Sequence, residues 1–290
     1  MVEHLKCFNT QEEYEEYVNS GELLKPNVSY CRNEREVNYD ENFFCKLTLS
    51  NGDIIDIDGK GKLTKEMVQP YTGNCVSVET GKLCSCIGSY TFWGFDVVSS
   101  ITLGNGVKEL ENEAFYVHND YFKTITTPKS IRRFGDQVFD GCIMENAVIN
   151  GKAGTLGWAT FRYCSRLKSV KICGGILSIG DCTFEGCFDL ETVELEKGVE
   201  IIGFGSFANC TSLSSITLPS TITLIKDVGF CYCTNLTAIT SLAMTAPTLE
   251  TEVFIQINEN GTLYIPSGAS GYDAWLSKLP QGWSIETIQQ

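Results

Sequence analysis

Three consecutive stretches of this chain are versions of one another. Leu156–Ile179 reads LGWATFRYCSRLKSVKICGGILSI, Ile179–Ile202 reads IGDCTFEGCFDLETVELEKGVEII, and Ile202–Ile225 reads IGFGSFANCTSLSSITLPSTITLI. Each has Ile or Leu before Gly, then Phe, then Cys three residues on, then Leu, an alternating apolar pair and a turn. The Phe is the ruler: it recurs at Phe92, Phe115, Phe139, Phe161, Phe184, Phe207, Phe230 and Phe254, at spacings of 23, 24, 22, 23, 23, 23 and 24 residues. No unit of that length buries its apolar side alone, so a fixed period of this size predicts stacked coils that share one interior.

The form of a coil follows from its residues. Leu190, Val193 and Leu195 point one way, with Thr192 and Glu194 between the last two pointing the other way, which is a short strand with one buried face. Phe184 and Cys187, three apart, predict a helical or 3₁₀ turn on the opposite side of the coil. Gly180 and Glu196-Lys197-Gly198 supply the corners. Seven or eight coils, with strands paired in parallel at about 4.8 Å, predict a rod of roughly 35–40 Å.

Composition narrows the partners. The net charge of −14, from 22 basic and 36 acidic residues, disfavours nucleic acid and anionic membranes. No run of 18 apolar residues exists, so membrane insertion is not expected. Of the 14 cysteines, Cys142, Cys164, Cys187, Cys210 and Cys233 each fall three residues after a repeat Phe. They predict a ladder of small buried thiols, one per coil. Cys84/Cys86 and Cys231/Cys233 are too closely spaced, with only His4 and His118 elsewhere, to predict a zinc site.

The stretch LSSITLPSTITLIKDVGFCYCTNL, Leu213–Leu236, closely matches the 23-residue unit of the BspA-like (TpLRR-type) leucine-rich repeat family, with Pro219, Phe230 and Cys233 in place. Ala114–Phe122 and Val138–Met144 are looser matches, and the resemblance covers roughly residues 75–290. It implies a leucine-rich repeat solenoid. It also implies a surface protein that binds host proteins or other cells, since that is typical of the family, and a repeat that carries no catalytic residues.

Read in order, residues 1–60 form a small α+β domain, 61–74 a linker, 75–254 the solenoid and 255–290 a C-terminal cap. In the first part, Thr10 to Glu13 is a capping box before a helix over Glu12–Asn19, and strands are expected over Asn27–Arg32, Glu36–Tyr39, Phe43–Ser50 and Asp53–Ile57. Asn51-Gly52 marks a hairpin between the last two. Residues 59–74 are basic and rich in turn formers. The repeats between 110 and 156 are irregular, with His118 where Cys is expected and one extra residue. In the cap, a strand ending at Pro266 is followed by a short helix with Trp275 and Leu276 on one face, Leu279 beyond it, and a last strand Trp283–Ile288. The N-terminus lacks a cationic segment and an apolar segment, which predicts no Sec signal peptide. Export by another route, retention in the cell, or assembly into a particle remain open. Leu23–Tyr39 resembles leader segments of structural proteins from phages of gut Bacteroidetes, which implies a virion component.

No phosphate loop, dinucleotide fingerprint or nucleophile elbow is present. Asp56 to Asp58 fails the calcium-loop rule, because Lys60 and Met67 stand where ligands belong. No catalytic residue, cofactor or metal is therefore expected. What remains is surface. Fourteen strand positions point outward, and nine are Ser or Thr: Ser100, Thr102, Thr124, Thr126, Ser169, Thr192, Ser215, Thr217 and Thr240. Lys171 and Glu194 break the monotony at its middle. Ser169, Lys171, Thr192, Glu194, Ser215 and Thr217 are thus the expected ligand face. The function expected is non-enzymatic adhesion to a protein or glycan through that face, with the N-terminal domain as anchor. The alternative is a phage virion component, a head fibre, decoration or tail-associated protein, that docks on other virion proteins through residues 1–60 and forms a symmetric homo-oligomer.

Overall fold

The computed structural model of the chain describes residues 6–8, 30–32 and 42–289. Two compact units divide at Glu41 and Asn42. In the first, β1 (Lys6–Phe8) pairs in parallel with β2 (Tyr30–Arg32). The expected helix at Glu12–Asn19, the strand Glu36–Tyr39 and all of Leu23–Tyr39 except residues 30–32 lie outside the described residues.

The second unit begins earlier than the sequence suggested. The Asn51-Gly52 hairpin is present, joining β3 (Cys45–Leu49) to β4 (Ile54–Ile57). Rather than belonging to a separate N-terminal domain, β3 pairs along its other edge with β6 (Cys75–Thr80), antiparallel, and so starts the sheet of the solenoid. Residues 61–74 are not a linker. They hold β5 (Gly61–Leu63), the single-turn α1 (Lys65–Val68) and a 3₁₀ turn at Gln69–Tyr71. β5 pairs in parallel with β7 (Cys84–Ile87), and Leu63 and Val68 are fully buried. Polar, turn-forming residues outnumber these two anchors, which hides them in the composition.

From there the chain winds regularly. It continues through β8 (Ser100–Leu103), β9 (Glu109–Leu110), β10 (Thr124–Thr126), β11 (Arg133–Phe134), β12 (Asn146–Ile149), β13 (Gly154–Thr155), β14 (Ser169–Ile172) and β15 (Ile176–Ile179). It goes on through β16 (Thr192–Leu195), β17 (Ile201–Ile202), β18 (Ser215–Leu218), β19 (Leu224–Ile225), β20 (Ala238–Ser241), β21 (Thr248–Leu249), β22 (Asn260–Pro266) and β23 (Gly282–Ile288). Even-numbered strands from β6 on make a broad face. Odd-numbered ones from β5 to β21 make a narrow second face that the sequence did not predict. β23 rejoins the broad face in parallel beside β22. Between β6 and β23 the broad face therefore has ten strands stacked in parallel sense, not the seven or eight expected, because the cap strands and β6 continue its spacing, and antiparallel β3 and β4 extend its first edge to twelve. Register is one repeat: Val170 opposes Val193 and Ile172 opposes Leu195. The Gly that follows four of the narrow strands, at Gly88, Gly135, Gly180 and Gly203, is forced by close approach. A Cβ on Gly180 would lie 2.2 Å from the Leu156 carbonyl of the preceding coil.

The third side of each coil carries the Phe. Cys187 N–H donates to the Phe184 carbonyl at 3.1 Å, the i to i−3 bond of a 3₁₀ turn. The turn does not continue as a helix, because residues two before and two after the Phe are left-handed: Cys182 has φ 55° and Gly186 φ 71°. Gln137, Ala159 and Val228 share the first position without being glycine, with φ of 53°, 54° and 51°. A left-handed non-glycine residue costs about 1–2 kcal/mol. Bonds between coils hold it there. Cys182, Phe184 and Gly186 donate their N–H to Phe204, Ser206 and Ala208 of the next coil at 2.7, 2.7 and 2.9 Å. The donors face the following coil and the acceptors face back, coil after coil.

Inside, the phenylalanines form the predicted column. From Phe92 to Phe254, successive ring centroids lie 4.8, 4.7, 4.9, 5.4, 5.2, 5.3 and 5.9 Å apart. Trp275, beside α2 (Asp273–Leu276), closes it at 5.7 Å from Phe254, and its Nε1 donates to the Pro247 carbonyl. The Tyr272 hydroxyl donates to the Ala243 carbonyl at 2.8 Å. Leu279 is buried as expected, but Leu276 is 39% exposed, since the single turn of α2 aims only Trp275 at the column. The thiol ladder is also present. Each Sγ of Cys142, Cys164, Cys187, Cys210 and Cys233 donates to the Phe carbonyl of the preceding coil. Buried Thr160 and Thr183 return their hydroxyls to Gly157 and Gly180 carbonyls at 2.7 Å. No described helix is long and apolar enough to cross a membrane.

Phe184→Ala empties one rung of the column and is expected to cost about 3–5 kcal/mol, measured by urea unfolding. Alkaline pH is a second test. Burial pushes Cys142 up to about 12 and raises Cys164, Cys187 and Cys210 well above the ordinary thiol value. The native state keeps these protons while the unfolded chain releases them above about pH 8.5, so stability is full below that value and lost as pH rises toward 12. Each thiol contributes a slope of about 1.4 kcal/mol per pH unit, so these thiols together give roughly 5–6. Urea midpoints should hold level from about pH 6 to 8 and fall steeply beyond about 9.

Candidate functional site

The broad face carries the hydroxyl row the sequence predicted. On β8, Ser100 and Thr102 are exposed while Ile101 and Leu103 are buried, and β16 and β18 alternate in the same way. Six of those outward residues were expected to act together. Ser169 lies opposite Thr192, and Lys171 opposite Glu194, on paired strands. Three of the six, Ser169, Lys171 and Glu194, are occupied by neighbours. Lys171 Nζ is 2.5 Å from Glu194 and 3.1 Å from Glu196, which raises its pKa through the Glu194 bond first and the Glu196 bond second. The Ser169 hydroxyl bonds Asn146 at 2.6 Å. Thr192, Ser215 and Thr217 are exposed.

The sheet is not continuous. Its hydrogen-bonded ladders run β4-β3-β6-β8, then β10-β12-β14-β16, then β18-β20-β22-β23. Among the described residues β8 and β10 are not paired in a ladder, nor are β16 and β18. The second break separates Ser215 and Thr217 from Thr192 and Glu194. At the first lies a hollow of about 400 Å³, with Ser99, Ser100, Thr102, Asn105, Thr124, Thr126, Thr127 and Pro128 around it and Ile101 and Leu103 beneath.

The cause is local. The coil that leads into β10 has the extra residue noted between Phe115 and Phe139. Asn119, 7% exposed, takes it up: its amide donates to the Phe95 carbonyl at 2.6 Å and its oxygen accepts from Tyr121 and Phe122 N–H at 2.7 and 2.9 Å. A side chain thus makes the bond between coils and turns the chain ahead of β10. Around the hollow, Ser99 donates to the Val76 carbonyl, and Thr127 both donates to and accepts from Asn150. Among the described residues, the hydroxyls of Ser100, Thr102, Thr124 and Thr126 have no hydrogen-bond partner in the chain.

The chemistry of the hollow is that of recognition. No titratable side chain lines it, so it offers neither an acid, a base nor an ionised nucleophile. Among the described residues no cluster of three His, Cys, Asp or Glu could hold a metal. Free hydroxyls and one amide over an apolar floor suit a neutral ligand rich in hydrogen-bonding groups. The sequence had marked Ser100, Thr102, Thr124 and Thr126 as outward. It missed Ser99, Asn105, Thr127 and Pro128, and the only signal for the break was the 24-residue spacing.

The family profile described as BspA type leucine rich repeat region matches residues 85–210 and 177–274, in six copies. No curated protein matches the chain. Among solved structures, the chain is similar to a leucine-rich repeat protein from Bacteroides ovatus, with 26% identity and a TM-score of 0.60 over 74% of this chain and 54% of that one. It is also similar to a leucine-rich repeat protein from Eubacterium ventriosum, with 21% identity and a TM-score of 0.49 over 64% and 49%. A third is a T. pallidum leucine-rich repeat protein, with 27% identity and a TM-score of 0.42 over 48% and 64%. The chain spans about half the length of the first two.

Asn119→Leu should expose the role of the inserted residue. It leaves the Tyr121 and Phe122 N–H groups without their acceptor, and a loss of about 2–4 kcal/mol in urea unfolding is expected, larger than for a surface Asn.

Proposed function

The chain belongs to the BspA-type leucine-rich repeat family, and from that membership we propose that it is a non-enzymatic binding module that adheres to a protein or glycan through its broad sheet face. The observation that carries this reading is the hollow at the β8/β10 break, where the hydroxyls of Ser100, Thr102, Thr124 and Thr126 have no partner among the described residues. Exposed strands of any protein favour Thr. A gap in a ladder that opens onto four uncommitted hydroxyls is a more specific feature. It leaves backbone and side-chain groups ready to bond a ligand, on a scaffold made rigid by the Phe column. The N-terminal residues act as the anchor. Ser169, Lys171, Thr192, Glu194, Ser215 and Thr217 extend the surface. Lys171 and Glu194 serve within it as a mutually neutralised pair and not as free charges.

Glycan and protein arrays probed with the full chain test this reading. Thr124→Lys places a bulky cation in the hollow, and Thr217→Lys does so beyond the second break. Loss of the bound signal in Thr124→Lys alone assigns recognition to the hollow, and loss in Thr217→Lys alone assigns it to the β14 to β18 region. A signal that survives both substitutions removes the broad face as the binding surface.

A further inference from the structure

A second surface lies on the Phe-turn side, away from the broad face. The position three residues before each Phe forms a column in register, because the next residue's N–H in each coil donates to the carbonyl of that position in the following coil. Gln137 donates to Trp158, Ala159 to Asp181, Cys182 to Phe204 and Gly205 to Asp227, at 2.8, 2.9, 2.7 and 3.0 Å. From Asp136 onward the column reads Asp136, Trp158, Asp181, Phe204, Asp227: carboxylate and aromatic in alternation, one per coil.

The two aromatics are outside the core. Trp158 is 43% and Phe204 47% exposed. The Arg162 guanidinium lies 4.7 Å from the Trp158 ring centroid and braces that ring. The carboxylates are held as well. One oxygen of Asp136 accepts from Trp158 N–H at 2.9 Å, and one of Asp181 accepts from Phe204 N–H at 2.8 Å and from Lys226 at 3.1 Å. Asp227 does the same for Thr251. Among the described residues, the second oxygen of each of these three Asp side chains has no partner.

We infer that this column binds a neutral polysaccharide chain. Flat aromatic rings stack on the apolar faces of sugar rings. Carboxylate oxygens fixed between them accept sugar hydroxyls through charge-assisted bonds. Trp158 and Phe204 are two coils apart, about 10 Å at one strand spacing per coil. That is close to the length of two sugar units in an extended chain, so alternate sugars meet a ring and the intervening ones meet Asp181. A protein partner fits less well. Its interface would have to bury Asp136 and Asp227, which have no cation beside them among the described residues, and an unpaired buried charge is strongly destabilising. Acidic glycans are repelled by the same carboxylates and by the net charge of −14.

Affinity electrophoresis of the full chain through native gels decides the matter, with soluble mixed-linkage β-glucan, galactomannan or, for comparison, heparin in the gel. Retardation by a neutral polysaccharide and none by heparin is expected. Trp158→Ala/Phe204→Ala should weaken it about tenfold, through the loss of two ring contacts. Asp136→Asn/Asp227→Asn keeps the backbone bonds, since Asn112 makes the same bond to Asp136 N–H one coil earlier, and should also weaken retardation. This second variant guards against a fold defect in the first. Thr124→Lys, in the hollow, reports any retardation that arises on the broad face instead. No retardation by either neutral polysaccharide overturns the inference. So does retardation that neither column variant weakens, or that Thr124→Lys abolishes. Loss of a protein-array signal in Trp158→Ala/Phe204→Ala, with both polysaccharides inert, overturns it in favour of a protein ligand.

Discussion

Each coil of this protein completes its neighbour. The N–H groups of Cys182, Phe184 and Gly186 have their acceptors one coil ahead, and the thiol of Cys187 has its acceptor one coil behind. The same rule fixes the rings: the Phe184 ring stacks between those of Phe161 and Phe207, one coil to either side. A single unit would leave both sides bare, and burying such groups without partners costs more than the apolar contacts return. Stability of this kind adds up through nearest neighbours. The two ends are therefore the special places, and both are closed by structure outside the repeat: the β3/β4 hairpin at one end and Trp275 with β22 and β23 at the other.

That dependence explains how residues without an obvious fitness for the turn are held in it. Val228 and Gln137 occupy left-handed backbone that isolated chains avoid. The bonds between coils impose the conformation. It also explains why the β8/β10 break matters. In the coil where the Asn119 amide bonds the Phe95 carbonyl, β8 and β10 are not paired in a ladder and a hollow lies between them. The candidate site is thus a local exception to the rule that builds the molecule. Binding groups are available there because the repeat does not consume them.

Much of this was legible in the primary structure. The Phe column, the thiol ladder and the outward hydroxyls follow from a period and an alternation, which survive without tertiary information, and the Trp275 cap followed from the family resemblance. The left-handed turns were not legible, because Gln137, Ala159 and Val228 carry no glycine signal. The narrow strands are mostly two residues long, too short for alternation to show. Residues 61–74 misled through composition, since two buried anchors, Leu63 and Val68, decide their fate. Lys171 and Glu194 were read as free contacts although they stand 23 residues apart. In a chain with that period, such residues are neighbours, and opposite charges at that distance are partners first.

The one-way direction of the bonds on the Phe-turn side has an electrostatic consequence. In the four coils from Phe139 to Phe207, three peptide units per coil point their hydrogens toward the C-terminal end and their oxygens toward the N-terminal end. Their dipoles, each about 3.5 D, add along the axis as they do in an α-helix, but with the opposite sense relative to the chain. The usual placement of charge is then inverted: cations belong beside the first turn and anions beside the last. The sequence follows this inverted rule. Lys62 and Lys65 precede the turn of Phe92, with the Lys65 ammonium 3.8 Å from the Trp93 ring centroid, and Glu250 and Glu252 precede the turn of Phe254.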